Sequence, residues 1–346
     1  MYGSTRLASG FNENKVEWPR GEAQDCKSCH TGSNPVSTSI ITPMNPSDST
    51  NTLALDIGAT KIALAIVDGE NRILRRSEVK SQQPNLANEL LKGIKSLLSG
   101  EKNIASIGIA SAGPIDRRLG NISPVNIPQW RDFPIVENLK NEFTEINPVL
   151  IQDAVAVALA EHRLGAGSGF SDMLGMVVST GVGGGLIINN HIHHGLTGNA
   201  GFFGHHSISY LDEECNCGRR GCVEMYARGP AMVSRAIQSG WECAEDFKAL
   251  AQSAREGNDI AQEAIDFGAR ALAVGIANVM AIVDVNVVVV GGGVSLAGEV
   301  YWAKLREHFN NEIKQVGFVR EAQIIPATLG ADAGLLGAVL AAREML

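Results

Sequence analysis

Thr52-Leu53-Ala54-Leu55-Asp56-Ile57-Gly58-Ala59-Thr60-Lys61-Ile62-Ala63-Leu64-Ala65-Ile66-Val67 reads as strand, turn, strand. One acid, Asp56, interrupts the first apolar run. A turn over Gly58, Ala59, Thr60 and Lys61 follows, and the second run continues to the next turn at Asp68-Gly69. The second half of the chain repeats the plan. Met173–Val178 is a predicted strand, Ser179-Thr180-Gly181-Val182-Gly183-Gly184-Gly185 a glycine turn, and Leu186-Ile187-Ile188 the returning strand. Such turns present backbone N–H groups with no Cβ in the way, which suits phosphate oxygens. Hairpin geometry alone explains one glycine turn. Two in corresponding places, with Asp56 before the first and Gly291-Gly292-Gly293 after a late apolar strand, predict a nucleotide triphosphate held between facing turns. Neither turn is the G-x-x-x-x-G-K-[ST] loop.

Outward from these hairpins the pattern alternates. Residues 86–98 have helical spacing. Residues 104–110 form a predicted strand ending at Ser111-Ala112-Gly113-Pro114, and residues 148–151 another that runs into Gln152-Asp153 and an alanine-rich helix through Arg163. Residues 271–283 read as a buried helix, 286–290 as a buried strand, 299–309 as a helix, 323–326 as a short strand and 332–345 as a final helix. The fold class is α/β, and 346 residues exceed one ordinary core, so two lobes are expected.

With 29 Lys+Arg against 37 Asp+Glu, the formal net charge is -8. That balance argues against coating nucleic acid and against a polybasic membrane contact. No uninterrupted apolar run reaches the roughly 20 residues that span a bilayer. The opening residues lack a basic start followed by an apolar core, so no export signal and a cytoplasmic, reducing location are expected.

Residues 1–50 are rich in Ser, Thr, Asn, Pro and Gly and have no apolar periodicity, so they are expected to be a disordered or non-native extension. Cys26-Lys27-Ser28-Cys29-His30 matches the C-x-x-C-H haem-attachment pattern, but that chemistry needs export, and as a zinc site it lacks a fourth ligand. Gly32-Ser33-Asn34-Pro35 is what GGTTCGAATCC, a typical tRNA T-arm, encodes in one frame, and TGCAAA of a cysteine anticodon loop encodes Cys26-Lys27. The extension is therefore read either as a natural tail or as a translated tRNA gene ahead of a start at Met44.

Cys215-Asn216-Cys217-Gly218-Arg219-Arg220-Gly221-Cys222 places three thiols within eight residues, with His205 ten positions upstream. Three Cys and one His satisfy tetrahedral zinc, and full protein ligation implies a structural metal. The bland alternative is reduced thiols packed as small apolar groups. His206 competes with His205 for the fourth position. Cys243 reads as an ordinary thiol, and His191, His193 and His194 as surface histidines.

These motifs together resemble the ROK family of repressors and sugar kinases, over nearly all of the chain from Thr52 onward. The most specific part is Gly198-Asn199-Ala200-Gly201, Gly204-His205 and Cys215-x-Cys217-Gly218-x-x-Gly221-Cys222-x-Glu224. Asp332-Ala333-Gly334-Leu335-Leu336-Gly337-Ala338 and the two turns support it. The resemblance implies a two-lobed, actin-like, hexokinase-like ATPase fold with a structural zinc knuckle. Its lobes would cover 51–165 and 166–346, with the last helix packing back on the first. It implies transfer of phosphate from ATP to the 6-hydroxyl of an N-acetylhexosamine, N-acetylmannosamine first, or of glucose. Asp153 would be the catalytic base. Gly113, Asn126, Gln152, His205 and Glu224 would contact the sugar. Asp56 would stand near Mg2+, with Gly58, Ala59, Thr60 and Lys61, and Thr180, Gly181, Val182 and Gly183, facing the phosphates. Gly291, Gly292 and Gly293 would border the adenosine, and His205, Cys215, Cys217 and Cys222 would hold Zn2+.

A sugar is the expected partner, with no nucleic acid and no membrane, and a homodimer is expected. Without the resemblance, Asp153 reads first as the N-cap of the alanine-rich helix it opens, a role it could combine with that of base. Two positions depart from the family pattern. Gln152 stands where Asn is usual, and Phe202 stands where Glu is usual, although bacterial N-acetylmannosamine kinases can also lack that Glu. These departures keep a catalytically weak sugar-binding relative in view. A repressor would need two further amphipathic helices ahead of the first strand, which residues 1–50 do not contain.

Overall fold

A computed structural model of the chain describes residues 50–101, 103–242, 246–319 and 321–344. The readings placed on residues 1–49, including Cys26, Cys29 and His30, and on Cys243 lie outside the described residues.

The first hairpin forms as the sequence predicts: β1 (Asn51–Ile57) pairs antiparallel with β2 (Lys61–Val67). β3 (Ile73–Lys80) extends the sheet on one side. The sequence reading passed over β3 because its residues, Ile-Leu-Arg-Arg-Ser-Glu-Val-Lys, are mostly exposed at a sheet edge, where charge is tolerated. After helix α1 (Leu86–Leu97), strand β4 (Ile104–Ser111) joins β1 in parallel. A small hairpin of β5 (Ile115–Asp116) and β6 (Asn121–Ile122), then helix α2 (Ile135–Glu142), lead to β7 (Val149–Gln152), which lies parallel to β4. The order is β3-β2-β1-β4-β7.

Beyond helix α3 (Asp153–Leu164) the same arrangement recurs. β8 (Met173–Val178) pairs antiparallel with β9 (Val182–Ile188), and β10 (His191–Ile192) extends that side. β11 (Val287–Gly291) and β12 (Gln323–Pro326) add in parallel, giving the order β10-β9-β8-β11-β12. The two sheets therefore share strand order and strand directions, so their two turns occupy equivalent positions.

Between β10 and β11 run α4 (Glu224–Ala227), α5 (Gly229–Gln238), α6 (Phe247–Arg255) and α7 (Asp259–Val283). Pro230 in the first turn opens α5, Asp246 caps α6 by accepting the Ala249 N–H (2.9 Å), and Asn258 caps α7 by accepting the Ala261 N–H (2.9 Å). The sequence reading gave only the second half of α7, because Asp266 and Arg270 interrupt its apolar run. Among the described residues α7 is the one helix long and apolar enough, by length and composition, to cross a membrane; 61% of its most apolar window is buried here, and it packs against α8 (Glu299–Val316) and α5.

The final helix, α9 (Ala333–Glu344), packs on β1 and β4 of the first sheet and on α3. α3 and α9 carry apolar residues around most of their circumference because they are covered on all sides. Their contact depends on small residues: a Cβ on Gly337 would come within 1.9 Å of the Ala156 carbonyl oxygen. Ala54, Ala65, Ala110, Leu159, Leu335 and Val339 share this core. Arg343 closes it by donating to Thr52 Oγ1 (3.1 Å), Asn71 Oδ1 (2.9 Å) and the Asp68 carbonyl (2.8 Å).

Candidate active site

β7 ends at Gln152 and α3 begins at Asp153, so the strand–helix junction delivers both side chains to one end of the first sheet. Gln152 occupies the N-cap position without a side-chain cap bond, and Asp153 is the first helical residue, its Oδ1 accepting the Ala154 N–H (2.7 Å). The predicted N-cap role thus does not fall to Asp153. Gln152 is 4% exposed, and its Oε1 has no hydrogen-bond partner. A buried amide oxygen without a partner costs stability, and a site that takes a ligand hydroxyl repays that cost on binding.

Asp56, in strand β1 on the far side of β4 from β7, faces the same region. Burial, then the Asp153 carboxylate, push the Asp56 carboxyl up to about 7, and the Arg76 and Lys61 cations only partly offset this. Burial raises Asp153 too, against the backbone N–H groups of Ala154 and of Asp153 itself. The first turn of α9 closes over Asp56, since a Cβ on Gly334 would come within 2.3 Å of Asp56 Oδ2. Two half-buried carboxylates with too little compensating charge have the chemistry that suits a divalent cation bound through oxygen.

In the first turn the Gly58 N–H donates to the Lys61 carbonyl (3.0 Å), and Ser81 Oγ donates to the Gly58 carbonyl (2.9 Å). Ala59 is half-buried and Thr60 exposed. The Lys61 ammonium pairs with Glu78 (2.6 Å). The second turn, at Thr180, Gly181, Val182 and Gly183, is held by Glu224, whose Oε2 accepts the Val182 N–H (2.8 Å). A Cβ on Gly183 would lie 2.9 Å from Ala154 Cβ and 4.0 Å from Gln152 Nε2, so this turn abuts the start of α3. Glu224, expected to contact sugar, therefore also fixes the glycine turn.

A cavity of about 900 Å³ opens on the other side of the second turn. Ser179 and Thr180 border it at one end, and Gly293 with Val294 and Leu296 at another. Its walls are Gly229, Pro230, Val233 and Ile237 of α5 and Phe247 of α6. It does not include Asp153. Thr180, expected at the phosphates, and Gly293, expected at the adenosine, both line this cavity; the sequence reading missed the α5 and α6 wall, for which the Gly229-Pro230 helix start was the available signal. Gly292 needs its positive φ of 90°, and a Cβ there would meet the Val178 carbonyl at 2.4 Å. Gly291 is buried at the end of β11.

β4 ends at Ser111, the strand partner of Gln152, and the chain runs on through Ala112 to Gly113. The Phe202 ring packs on Gly113, where an added Cβ would come within 2.5 Å of its Cζ. Asn126 is exposed, and its carbonyl accepts from Gln82 Nε2 (3.0 Å). Asn199, within the quoted glycine motif, makes a reciprocal pair with Ile115: its Nδ2 donates to the Ile115 carbonyl (2.7 Å), and its Oδ1 accepts the Ile115 N–H (2.9 Å).

His205, Cys215, Cys217 and Cys222 bring one donor atom each within 4.8 Å of one another. Cys215 Sγ lies 3.5 Å from His205 Nδ1, and Cys217 Sγ 3.6 Å from Cys222 Sγ. A regular tetrahedron with Zn–S of about 2.3 Å and Zn–N of about 2.0–2.1 Å has S···N edges of about 3.5 Å and S···S edges of about 3.8 Å, so the donor spacing fits zinc. His206 is excluded from this set. Its Nδ1 is engaged with the Phe203 carbonyl, and its Nε2 is buried against α7 near Gly275. Among the other histidines, His191 and His193 are exposed and His194 is half-buried.

A family model described as the ROK family matches residues 52–345. An N-acetylmannosamine kinase from Citrobacter koseri is 37% identical over 295 residues, covering 85% of this chain and 99% of that protein. A crystal structure of a ROK hexokinase from Thermus thermophilus has a TM-score of 0.76 at 34% identity, covering 86% of this chain and 99% of that one. A ROK family glucokinase from Streptomyces griseus, in complex with glucose and AMPPNP, has a TM-score of 0.75 at 31% identity, covering 85% and 99%.

Proposed function

Because the chain belongs to the ROK family, we propose that it is a sugar kinase that transfers the γ-phosphoryl group of ATP to the 6-hydroxyl of an N-acetylhexosamine, N-acetylmannosamine first, or of glucose. The observation that carries this reading is the position of the second turn. Its Thr180 end borders the 900 Å³ cavity, and its Gly183 end lies against Gln152 and Ala154, the residues before and after Asp153. A nucleotide in the cavity would run its phosphates over the 180–183 backbone toward Asp153, and a sugar hydroxyl beside Asp153 would lie in line with the γ-phosphorus.

In this reading Asp153 accepts the proton of the 6-hydroxyl as that oxygen attacks phosphorus and the bond to ADP breaks. A carboxylate raised by burial is a stronger proton acceptor than an exposed one. The Gln152 amide, with its unpartnered Oε1, orients a second sugar hydroxyl. Asp56 would hold Mg2+, which supplies charge neutralisation at the phosphates when bound. The knuckle would hold structural Zn2+ through His205 Nδ1 and the three sulfurs, leaving the other His205 nitrogen for the sugar. Cys222 lies two residues before Glu224, so the same metal would brace the carboxylate that holds the phosphate turn. The two sheets would belong to lobes that close on the substrates.

Purified protein with ATP and a panel of hexoses should release ADP only when the right sugar is present. Sugar binding without ADP release would favour the catalytically weak relative that Gln152 and Phe202 keep in view. Neither binding nor release with any hexose would remove the sugar-kinase reading.

A further inference from the structure

We propose that Glu161 is a positioning residue for phosphoryl transfer: its buried carboxylate pins together the two passages of the chain between the sheets, so that sugar and nucleotide bind as a coupled pair. This rests on the sugar-kinase reading and adds to it a residue outside the substrate site.

The main chain passes between the two sheets twice. The first passage leaves β7, runs along α3 and enters β8 through residues 165–172; the second leaves β12 and enters α9 through residues 327–332. The helices are exchanged. α3 grows from the first sheet and packs on β8 and β9 of the second, while α9 grows from the second sheet and packs on β1 and β4 of the first. Both passages meet at Glu161. Its Oε2 accepts the Ala166 N–H (2.9 Å) on the first passage. On the second, the Thr328 N–H reaches both carboxylate oxygens (3.0 and 3.1 Å), the Leu329 N–H donates to Oε1 (2.8 Å), and Thr328 Oγ1 donates to Oε2 (3.3 Å). Glu161 is 1% exposed. A carboxylate taken this far out of water is tolerated only when its lone pairs are filled, and here the two passages fill them.

The surroundings leave the carboxylate no slack. A Cβ on Gly165 would come within 2.1 Å of Glu161 Oε2, and Gly330, just past Leu329, has a φ of 59°. Glu161 follows Asp153 by about two turns of one unbroken helix. Leu329 stands shortly before Gly334, whose turn closes over Asp56. β8, which the first passage enters, leads into the second glycine turn. One carboxylate therefore fixes three parts against one another: the helix that carries Asp153, the turn over Asp56 and the strand ahead of the phosphate turn. A ligand that shifts one half draws on the other through this point.

The test reads coupling rather than stability. With Mg2+ present, calorimetry gives the dissociation constant of a non-hydrolysable ATP analogue with and without saturating sugar (the hexose that wild type binds best), and a coupled assay gives kcat and KM. Wild type is compared with Glu161→Gln and Gly165→Ala. Glu161→Gln turns an amide NH2 toward a main-chain N–H whichever way it lies, because both oxygens accept. Gly165→Ala keeps the charge and displaces the carboxylate. Wild type should bind the analogue at least about fivefold tighter when sugar is present. In each variant either ligand alone should bind within about threefold of wild type, the tightening should shrink below about twofold, and kcat should fall at least about tenfold with KM little changed. A brace that only stabilises would lower the melting midpoint and the fraction of protein that binds, yet the folded molecules would keep both the tightening and kcat. A folded variant that keeps the wild-type tightening overturns the proposal. So does wild type that binds both ligands without coupling, and there the kinase reading stands. If neither variant folds, hydrogen exchange of wild type decides: the Ala166, Thr328 and Leu329 amides must slow together when both ligands bind, and unchanged or independent exchange overturns the proposal. Wild type that binds neither sugar nor analogue overturns both.

Discussion

In the proposed mechanism Asp153 and Asp56 are two carboxylates of one type with different work, and their surroundings set the difference. If Asp153 takes the hydroxyl proton, Asp153→Asn should lower kcat by about 10²–10⁴ while leaving the dissociation constant for sugar nearly unchanged, measured by coupled assay and by calorimetry. Near-normal turnover would sink the assignment. Asp56 gives a pH test. Its carboxyl is raised from 3.8 to about 7, so between those values the folded protein keeps a proton that the unfolded chain has released. The stabilisation from that proton is complete at acid pH and is lost as pH rises through about 7. The melting midpoint of metal-free protein should therefore fall from pH 5 to pH 8, Mg2+ should restore it at pH 8, and Asp56→Asn should flatten the profile. Both acids were legible in the sequence, Asp56 as an interruption in an apolar strand and Asp153 as an acid at a strand–helix junction. Their mutual repulsion was not, because it depends on the parallel pairing that brings strands 51–57, 104–111 and 149–152 side by side.

The knuckle is the element whose spacing alone predicts its chemistry. Three thiols within eight residues must lie close in space whatever the rest of the chain does, whereas His205 had to be chosen over His206 by tertiary packing. Wild-type protein should carry one zinc per chain by metal analysis. Cys217→Ser should lose it and lower the melting midpoint by about 5–10 °C. It should also raise KM for ATP as well as for sugar, because Glu224, which holds the Val182 N–H, hangs from the same loop as Cys222. Zinc retained in Cys217→Ser would remove the knuckle assignment. The helices beside the cavity show the opposite case. α5 and α6 are short, and the apolar residues that line the cavity, Val233, Ile237 and Phe247, look like ordinary core positions in the sequence. Their role emerges only when the Ser179 turn and Gly293 are placed opposite them.

Across the whole molecule, the repeated hairpin predicted two equivalent halves, and the two sheets share one strand order. If the halves are lobes that close, the radius of gyration measured by X-ray scattering should fall when sugar and a non-hydrolysable ATP analogue are added together, and less with either alone. An unchanged radius would mean that the site is already assembled without ligand. The resemblance implied that the last helix packs back on the first lobe; what the sequence could not show is which residues make that covering. Ala54, Ala65 and Ala110 of the first sheet are buried under Leu335 and Val339 of α9, and Arg343 reaches back to Thr52, Asp68 and Asn71. On the ribosome this fixes an order of events. Strands 51–57, 61–67 and 104–111 emerge early, yet the helix that covers one face of them is the last described element to be synthesised. The first half must wait with that alanine-rich face bare until translation has passed residue 344, and a nascent chain halted before residue 333 is the form most in need of a chaperone.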